Sequence, residues 1–259
     1  MAGCVARYIR QGKACVTVTC AHVIPKGTIW SADARHRSSH VSDAQLVEVI
    51  KRETELSTNH LTPEIKLHLI TQKCRLWHEH GDTSPFQDPF WAFYWPGGQV
   101  LTRYILDNPK EFLDRRVLDV GSGCGATAIG CKMVGANLVT ANDIEPVALA
   151  AIRLNATANE LSLDVNADNW IGRSTPRWDI VVLGDMFYDL EFANTLFHWI
   201  TRLLDEGKTV FIGDPGRAAL KTAVDKLPMQ KVYKTDLPVS TRQENNGLTQ
   251  AWVWKCINS

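Results

Sequence analysis

The chain has 259 residues, 45% of them hydrophobic and 22% charged, the composition of a soluble globular domain with extensions rather than a disordered or fibrous chain. Lys plus Arg and Asp plus Glu balance at 28 each, so no overall basic field marks the chain for nucleic acid. No apolar run approaches the roughly 20 residues needed to span a bilayer, and the seven cysteines form no Cys-x-x-Cys pair, so neither a zinc site nor a disulfide framework is expected.

Residues 1–40 stand apart. Arg7, Arg10, Lys13, Lys26, Arg35 and Arg37 face a single acid, Asp33, among many small and hydroxyl residues. Such a composition reads as a mitochondrial transit peptide or as an arm without an address. A secretory signal fits worse, because Thr17, Thr19 and His22 interrupt the mildly apolar stretch Ala14–Ile24. Residues 41–259 read as one domain with an N-terminal helical extension. A helix is expected over Asp43–Leu56, with Ser42 as its N-cap. A second is expected to open at Thr62-Pro63-Glu64, with Thr as cap and Pro in the first turn. Gly81–Pro89 reads as a loop, and an apolar helix is expected around Val100–Ile105.

From Arg116 onward strand and helix alternate. Strands are expected at Val117–Val120, Leu138–Ala141, Leu163–Ala167, Ile180–Leu183 and Thr209–Ile212, with helices between most of them. That alternation predicts an α/β fold, a mostly parallel Rossmann-like sheet with helices on both faces. Lys231–Asp236 and Ala251–Lys255 complete seven strands as a terminal antiparallel hairpin.

The candidate cofactor site begins where the first parallel strand meets Gly121, Gly123 and Gly125. Glycines permit a tight turn and a close ligand approach. Asp119 precedes the first of them by two positions. A carboxylate is unfavourable beside pyrophosphate but suits the cationic methionyl end of S-adenosylmethionine, directly or through water. Asp143, at the end of the second parallel strand, is the candidate ribose ligand, with Glu145 as the alternative. Asn169 and Trp170 follow the third strand, where adenine is read; a polar turn with a core tryptophan is an equal reading. Trp95, in the aromatic run Phe90–Trp95, either lids the cofactor or packs in the core.

The candidate reaction site follows the fourth strand. Asp185, Phe187 and Tyr188 would hold a small nucleophile, and for an amine the rings add a cation–π contact. Asp185 also borders the cofactor. The competing reading makes Asp185 a helix cap and the rings packing. His78 and His80, two apart, suit no metal, and none is expected. Arg217, after the fifth strand, reads either as a contact for an acidic substrate or, more simply, as a solvent-facing residue.

The blocks Leu61–Ile65, Tyr94–Gln99, Leu118–Ala128, Ala141–Ile144, Val182–Asp189 and Ser240–Asn245 occur in the order in which this chain resembles the electron transfer flavoprotein beta subunit lysine methyltransferase family. The resemblance covers about residues 60 to 255. It departs at the first forty residues and at Glu145, where the family's Asp is expected. It implies the seven-strand methyltransferase fold, S-adenosylmethionine as cofactor, and the flavoprotein beta subunit as protein substrate. It also implies a mitochondrial matrix enzyme and places Asp185–Tyr188 in the family's D-x-F-Y-type motif. No nucleic acid or membrane partner is expected, and the favoured state is a monomer. The competing classes are a nicotinamide oxidoreductase, which Asp119 disfavours, and a binding protein that keeps the fold without catalysis.

Overall fold

The computed structural model describes residues 43–78, 84–86, 88–222, 227–245 and 247–257. The readings of residues 1–40, Ser42, His80 and part of Gly81–Pro89 lie outside them.

The chain begins with α1 (Asp43–Glu53), β1 (Glu55–Ser57), β2 (Leu67–Leu69) and α2 (Arg75–His78). A single 3-10 turn, Phe90–Ala92, leads into α3 (Pro96–Asp107) and α4 (Pro109–Phe112). The alternating core follows: β3 (Arg116–Val120), α5 (Ala126–Met133), β4 (Leu138–Asn142), α6 (Pro146–Ala158) and β5 (Asp164–Asn166). Next come β6 (Ile180–Gly184), α7 (Leu190–Asp205), β7 (Thr209–Asp214) and α8 (Ala218–Lys221). The chain closes with β8 (Met229–Asp236), α9 (Val239–Glu244) and β9 (Gln250–Cys256). Seven strands form one sheet in the order β5-β4-β3-β6-β7-β9-β8. All neighbours pair in parallel except β7–β9 and β9–β8. The seven-strand α/β expectation and its terminal hairpin are met.

The central strands are continuous apolar runs because both faces are covered. Their alternation assigns each residue to a layer. Leu118, Val120, Val181, Leu183, Val210 and Ile212 face α7, whose stripe Ala193, Leu196, Phe197, Ile200, Leu203 and Leu204 recurs at helical spacing. Asp189 starts that helix by accepting the Phe192 backbone N–H at 2.8 Å. Val117, Ile180, Val182 and Phe211 face the other way, toward α3 and α5.

On that second face the sheet ends in Gly184 and Gly213, and α3 begins with Pro96-Gly97-Gly98. A Cβ on Gly213 would lie 2.0 Å from the Gly97 carbonyl, and one on Gly184 would lie 2.9 Å from the Gly98 Cα. The first turn of α3 therefore rests backbone-on-backbone upon the ends of β6 and β7.

The N-terminal region differs from its sequence expectation. The first helix ends at Glu53, and Glu55–Ser57 pairs antiparallel with Leu67–Leu69. No helix opens at Thr62: its hydroxyl pairs with the Tyr94 hydroxyl at 3.1 Å, and only a turn forms, closed by Ile65 N–H on the Thr62 carbonyl at 3.0 Å. Leu67 and Leu69 alternate inward around His68, and Asn155 of α6 accepts the His68 N–H at 2.7 Å. Tertiary partners thus override a correct-looking capping signal.

Candidate active site

The chain order reverses between β4, on one side of β3, and β6, on the other. A crevice opens at the carboxyl ends of such strands. Gly121, Gly123 and Gly125 turn there with φ of 68°, 54° and 83°. All three lie in the left-handed region that side chains disfavour, which is why glycine alternates in the sequence. Gly125 then starts α5.

Asp119 sits beneath this loop, 2% exposed. Its Oδ2 accepts the Ser122 hydroxyl at 2.5 Å and the Ala128 backbone N–H at 3.1 Å. Burial pushes its carboxyl up to about 7, against the pull of those two bonds. The carboxylate thus locks the loop onto the first turn of α5 with one oxygen. Asp119, Gly121, Gly123, Gly184 and Trp95 line one pocket. Trp95 is half-exposed, donates its indole N–H to the Phe90 carbonyl at 3.0 Å and lies against Phe93.

Asp143 accepts the Gly123 N–H on one oxygen at 2.9 Å and the Glu145 N–H on the other at 3.0 Å. It therefore ties the end of β4 to the glycine loop. Burial raises its carboxyl above the usual range, and the backbone N–H groups of Glu145, Gly123 and Ile144 oppose this. Glu145 is exposed just past the strand. After β5, Asn169 closes a turn by accepting the Ile171 N–H at 3.1 Å. The Trp170 ring meets Trp178 edge-on at 4.9 Å, and its N–H goes to Asn166. The structure gives Trp170 a packing contact on the core, one of the two readings made for it.

At the end of β6, Asp185 has φ 59°, a left-handed conformation rare for a non-glycine residue. It is 7% exposed. Its Oδ2 accepts the Gly97 N–H, capping α3 from outside the helix. Its Oδ1 accepts the Nε–H of Arg217 at 2.5 Å, and Nη2 of the same guanidinium lies at an ion-pair distance of 2.5 Å. Burial raises the Asp185 carboxyl, while the guanidinium and the Gly97 N–H pull it back. Arg217 is thus not the solvent-facing residue expected; the turn Pro215-Gly216, with Gly216 at φ 93°, folds it back over the end of β6. Phe187 is fully buried and stacks on Phe197 at 5.4 Å. Tyr188 is 58% exposed and stacks on Phe192.

Three groups went unnoticed in the sequence. Asp214, fully buried at the end of β7, accepts the Gly216 and Arg217 N–H groups on Oδ1 at 2.6 and 2.7 Å. Its Oδ2 is buried without a partner among the described residues. Burial, and then the charge of Asp185, push its carboxyl up to about 7. Gln99 of α3 accepts the Leu61 N–H and the Thr241 hydroxyl, each at 3.0 Å, and donates to the Tyr94 carbonyl. It knots three separated blocks together. Asn142 bonds the Asn166 and Asp168 carbonyls and shapes the turn after β5. The Asn and Asp residues at strand ends were the available signal; Gln99 gave none.

A family model described as Ribosomal protein L11 methyltransferase (PrmA) matches residues 101–220. The chain is 48% identical over 207 residues to the electron transfer flavoprotein beta subunit lysine methyltransferase of Xenopus laevis, covering 79% of this chain and 84% of that protein. The Homo sapiens protein of the same name is 46% identical over 215 residues, 82% of each chain. A Caenorhabditis elegans homolog is 36% identical over 226 residues, covering 79% of this chain and 93% of that one. Among solved structures, the ribosomal protein L11 methylase from Lactobacillus delbrueckii subsp. bulgaricus superposes with a TM-score of 0.46 at 19% identity, covering 62% of this chain and 80% of that one. The N-methyltransferase NodS from Bradyrhizobium japonicum, in complex with S-adenosyl-l-homocysteine, gives 0.46 at 14%, covering 67% and 93%.

Proposed function

The chain belongs to the electron transfer flavoprotein beta subunit lysine methyltransferase family, and from that premise we propose that it methylates lysines of that flavoprotein subunit in the mitochondrial matrix. It is a protein-lysine N-methyltransferase with S-adenosylmethionine as cofactor. The observation that carries the site assignment is Asp185, a buried carboxylate on a left-handed backbone at the end of β6.

The residues fit that cofactor. Two of the left-handed glycines, Gly121 and Gly123, line the pocket, and Asp119, Gly184 and Trp95 share it with them. Asp119 keeps Oδ1 clear of the two bonds that hold its partner oxygen, so one anionic atom remains for the methionyl ammonium. Asp143 stands at the ribose position; Asn169 and Trp170 shape the adenine end, and Trp95 covers the opening. S-adenosylmethionine supplies a methyl group already activated on a sulfonium.

The protein's task is then alignment and deprotonation. A lysine ammonium has an ordinary pKa of about 10.4, so it loses a proton before its lone pair can attack. Asp185 receives the amine and fixes its direction for in-line transfer. Tyr188, exposed at the crevice mouth, guides the side chain in, and Phe187 holds the strand end from below. The basic segment 1–40 serves as the import signal.

The test is incubation of the purified chain with methyl-labelled S-adenosylmethionine and electron transfer flavoprotein, beside an Asp185→Ala variant. Label on beta-subunit lysines that the variant fails to add supports both substrate and site. No label on the flavoprotein, with label on another protein when a mitochondrial extract replaces it, removes the named substrate and keeps the reaction.

A further inference from the structure

A groove of about 320 Å³ is lined by Phe187, Tyr188, Leu190, Pro215, Arg217 and Leu248. Tyr188 and Leu190 are 58% and 59% exposed at its rim, so a partner protein can reach it. Arg217 runs from this groove to Asp185. Its side chain is 28% exposed, whereas that of Asp185 is 5% exposed.

The hydrogen bonds of Asp185 leave little room for a substrate. Oδ2 faces the Gly97 N–H, which belongs to the fixed first turn of α3. Oδ1 is covered by one guanidinium, which donates its Nε–H and holds Nη2 against the same oxygen at 2.5 Å. An amine that binds Asp185 through Oδ1 therefore needs the place Arg217 now takes. The chemistry matches: a flexible, cationic side chain entering from an apolar groove and donating N–H bonds to a buried carboxylate is what a substrate lysine would be.

We propose that Arg217 is a built-in surrogate for the substrate lysine, occupying its place on Asp185 until a lysine enters the groove and displaces it. This rests on the reading of Asp185 as the amine-holding residue. It makes Arg217 a specificity-determining residue. A side chain must carry an N–H donor and reach Asp185 to compete with the guanidinium, so apolar and acidic side chains do not open the site. The surrogate cannot itself be consumed, because the guanidinium lone pairs are delocalised and it stays protonated.

The experiment follows from that last point. An Arg217→Lys substitution puts a methylatable amine at the same place. Its neutral nitrogen would form the N–CH3 bond as the sulfonium S–C bond breaks, leaving the thioether S-adenosylhomocysteine; the proton already lost from the ammonium goes to solvent. The full-length Arg217→Lys chain is incubated with S-adenosylmethionine alone and position 217 is read by peptide mass spectrometry, with an Arg217→Lys/Asp185→Asn chain beside it. In parallel, Arg217→Met is assayed on electron transfer flavoprotein. The expected results are one or more methyl groups on the introduced lysine, lost in the double variant. For Arg217→Met, a KM for the protein substrate about tenfold lower is expected, since one charge-assisted competitor is removed. Either result supports the proposal. An unmodified amine in the Arg217→Lys chain, together with an Arg217→Met KM that is unchanged or raised, overturns it and leaves Arg217 a fixed clamp. Full turnover in Asp185→Asn alone would instead remove the underlying reading of Asp185, so the two failures are separable.

Discussion

The two halves of the crevice are built differently. The cofactor half is set by backbone: three glycines at positive φ, and two carboxylates, Asp119 and Asp143, that accept main-chain N–H groups of the loop and helix they anchor. The reaction half is set by side chains: Asp185 paired with Arg217, and Asp214 left with a buried oxygen unpartnered among the described residues. A backbone cradle is complete before any ligand arrives. A side-chain ion pair can exchange partners, and buried carboxylates close together make that half responsive to charge and pH. The difference separates binding, which asks for a fixed shape, from turnover, which asks for a group that can let go.

The strongest way to break this comparison is Asp185→Asn. It keeps an acceptor for the Gly97 N–H but removes the charge. Turnover should fall about 10²-fold or more, while the affinity for S-adenosylmethionine measured by calorimetry stays within about threefold. Equal loss of both would show that the halves are not separable.

Gly213→Ala attacks the contact that both halves share. Its Cβ would lie 2.0 Å from the Gly97 carbonyl, and neither backbone can yield. We expect a loss of about 3 kcal/mol in denaturant unfolding, typical of forced overpacking. Gly172→Ala is the matched control: its φ is 83° but nothing lies within 4 Å of the added atom. Only the backbone strain, about 1–2 kcal/mol, should appear.

Asp119→Asn sharpens the cofactor half. In the free protein burial holds the Asp119 carboxyl near 7. A cationic ligand favours the ionised form, so S-adenosylmethionine affinity should rise as pH climbs toward about 7, by up to about tenfold for each pH step of one, and level off above it. The Asn variant should bind more weakly and lose that slope. An unchanged slope would mean that Asp119 does not meet the cofactor's charge.

The smallest expected effect lies in stability. Asp214, like Asp119, has its folded-state carboxyl raised to about 7 from 3.8. A raised carboxyl contributes stability fully below the unfolded value, and the contribution is lost as pH rises through the folded one. The free protein should therefore melt at a lower temperature at pH 8 than at pH 5. Asp214→Asn should recover about 2–4 °C at pH 8, the change expected per kcal/mol for a domain of this size. A melting temperature that rises with pH would contradict the assignment.

The sequence by itself determined the parallel strands, the glycine loop and the acids at strand ends. Those signals are local: an apolar run covered on both faces, a residue type forced by φ, a short spacing between them. The order of six blocks also placed the chain in its family. The N-terminal hairpin was not legible, because Thr62-Pro63-Glu64 is a sound helix start until Tyr94 takes the Thr62 hydroxyl from 32 positions away. The motif left Phe187 open between a crevice aromatic and packing, since nothing in it says which ring stacks on Phe197. The Asp185–Arg217 pair, the buried Asp214 and the contact of Gly97 with Gly213 were decided only by tertiary structure. Each joins residues far apart in the chain, and their chemistry depends on burial and distance, which no spacing in the sequence encodes.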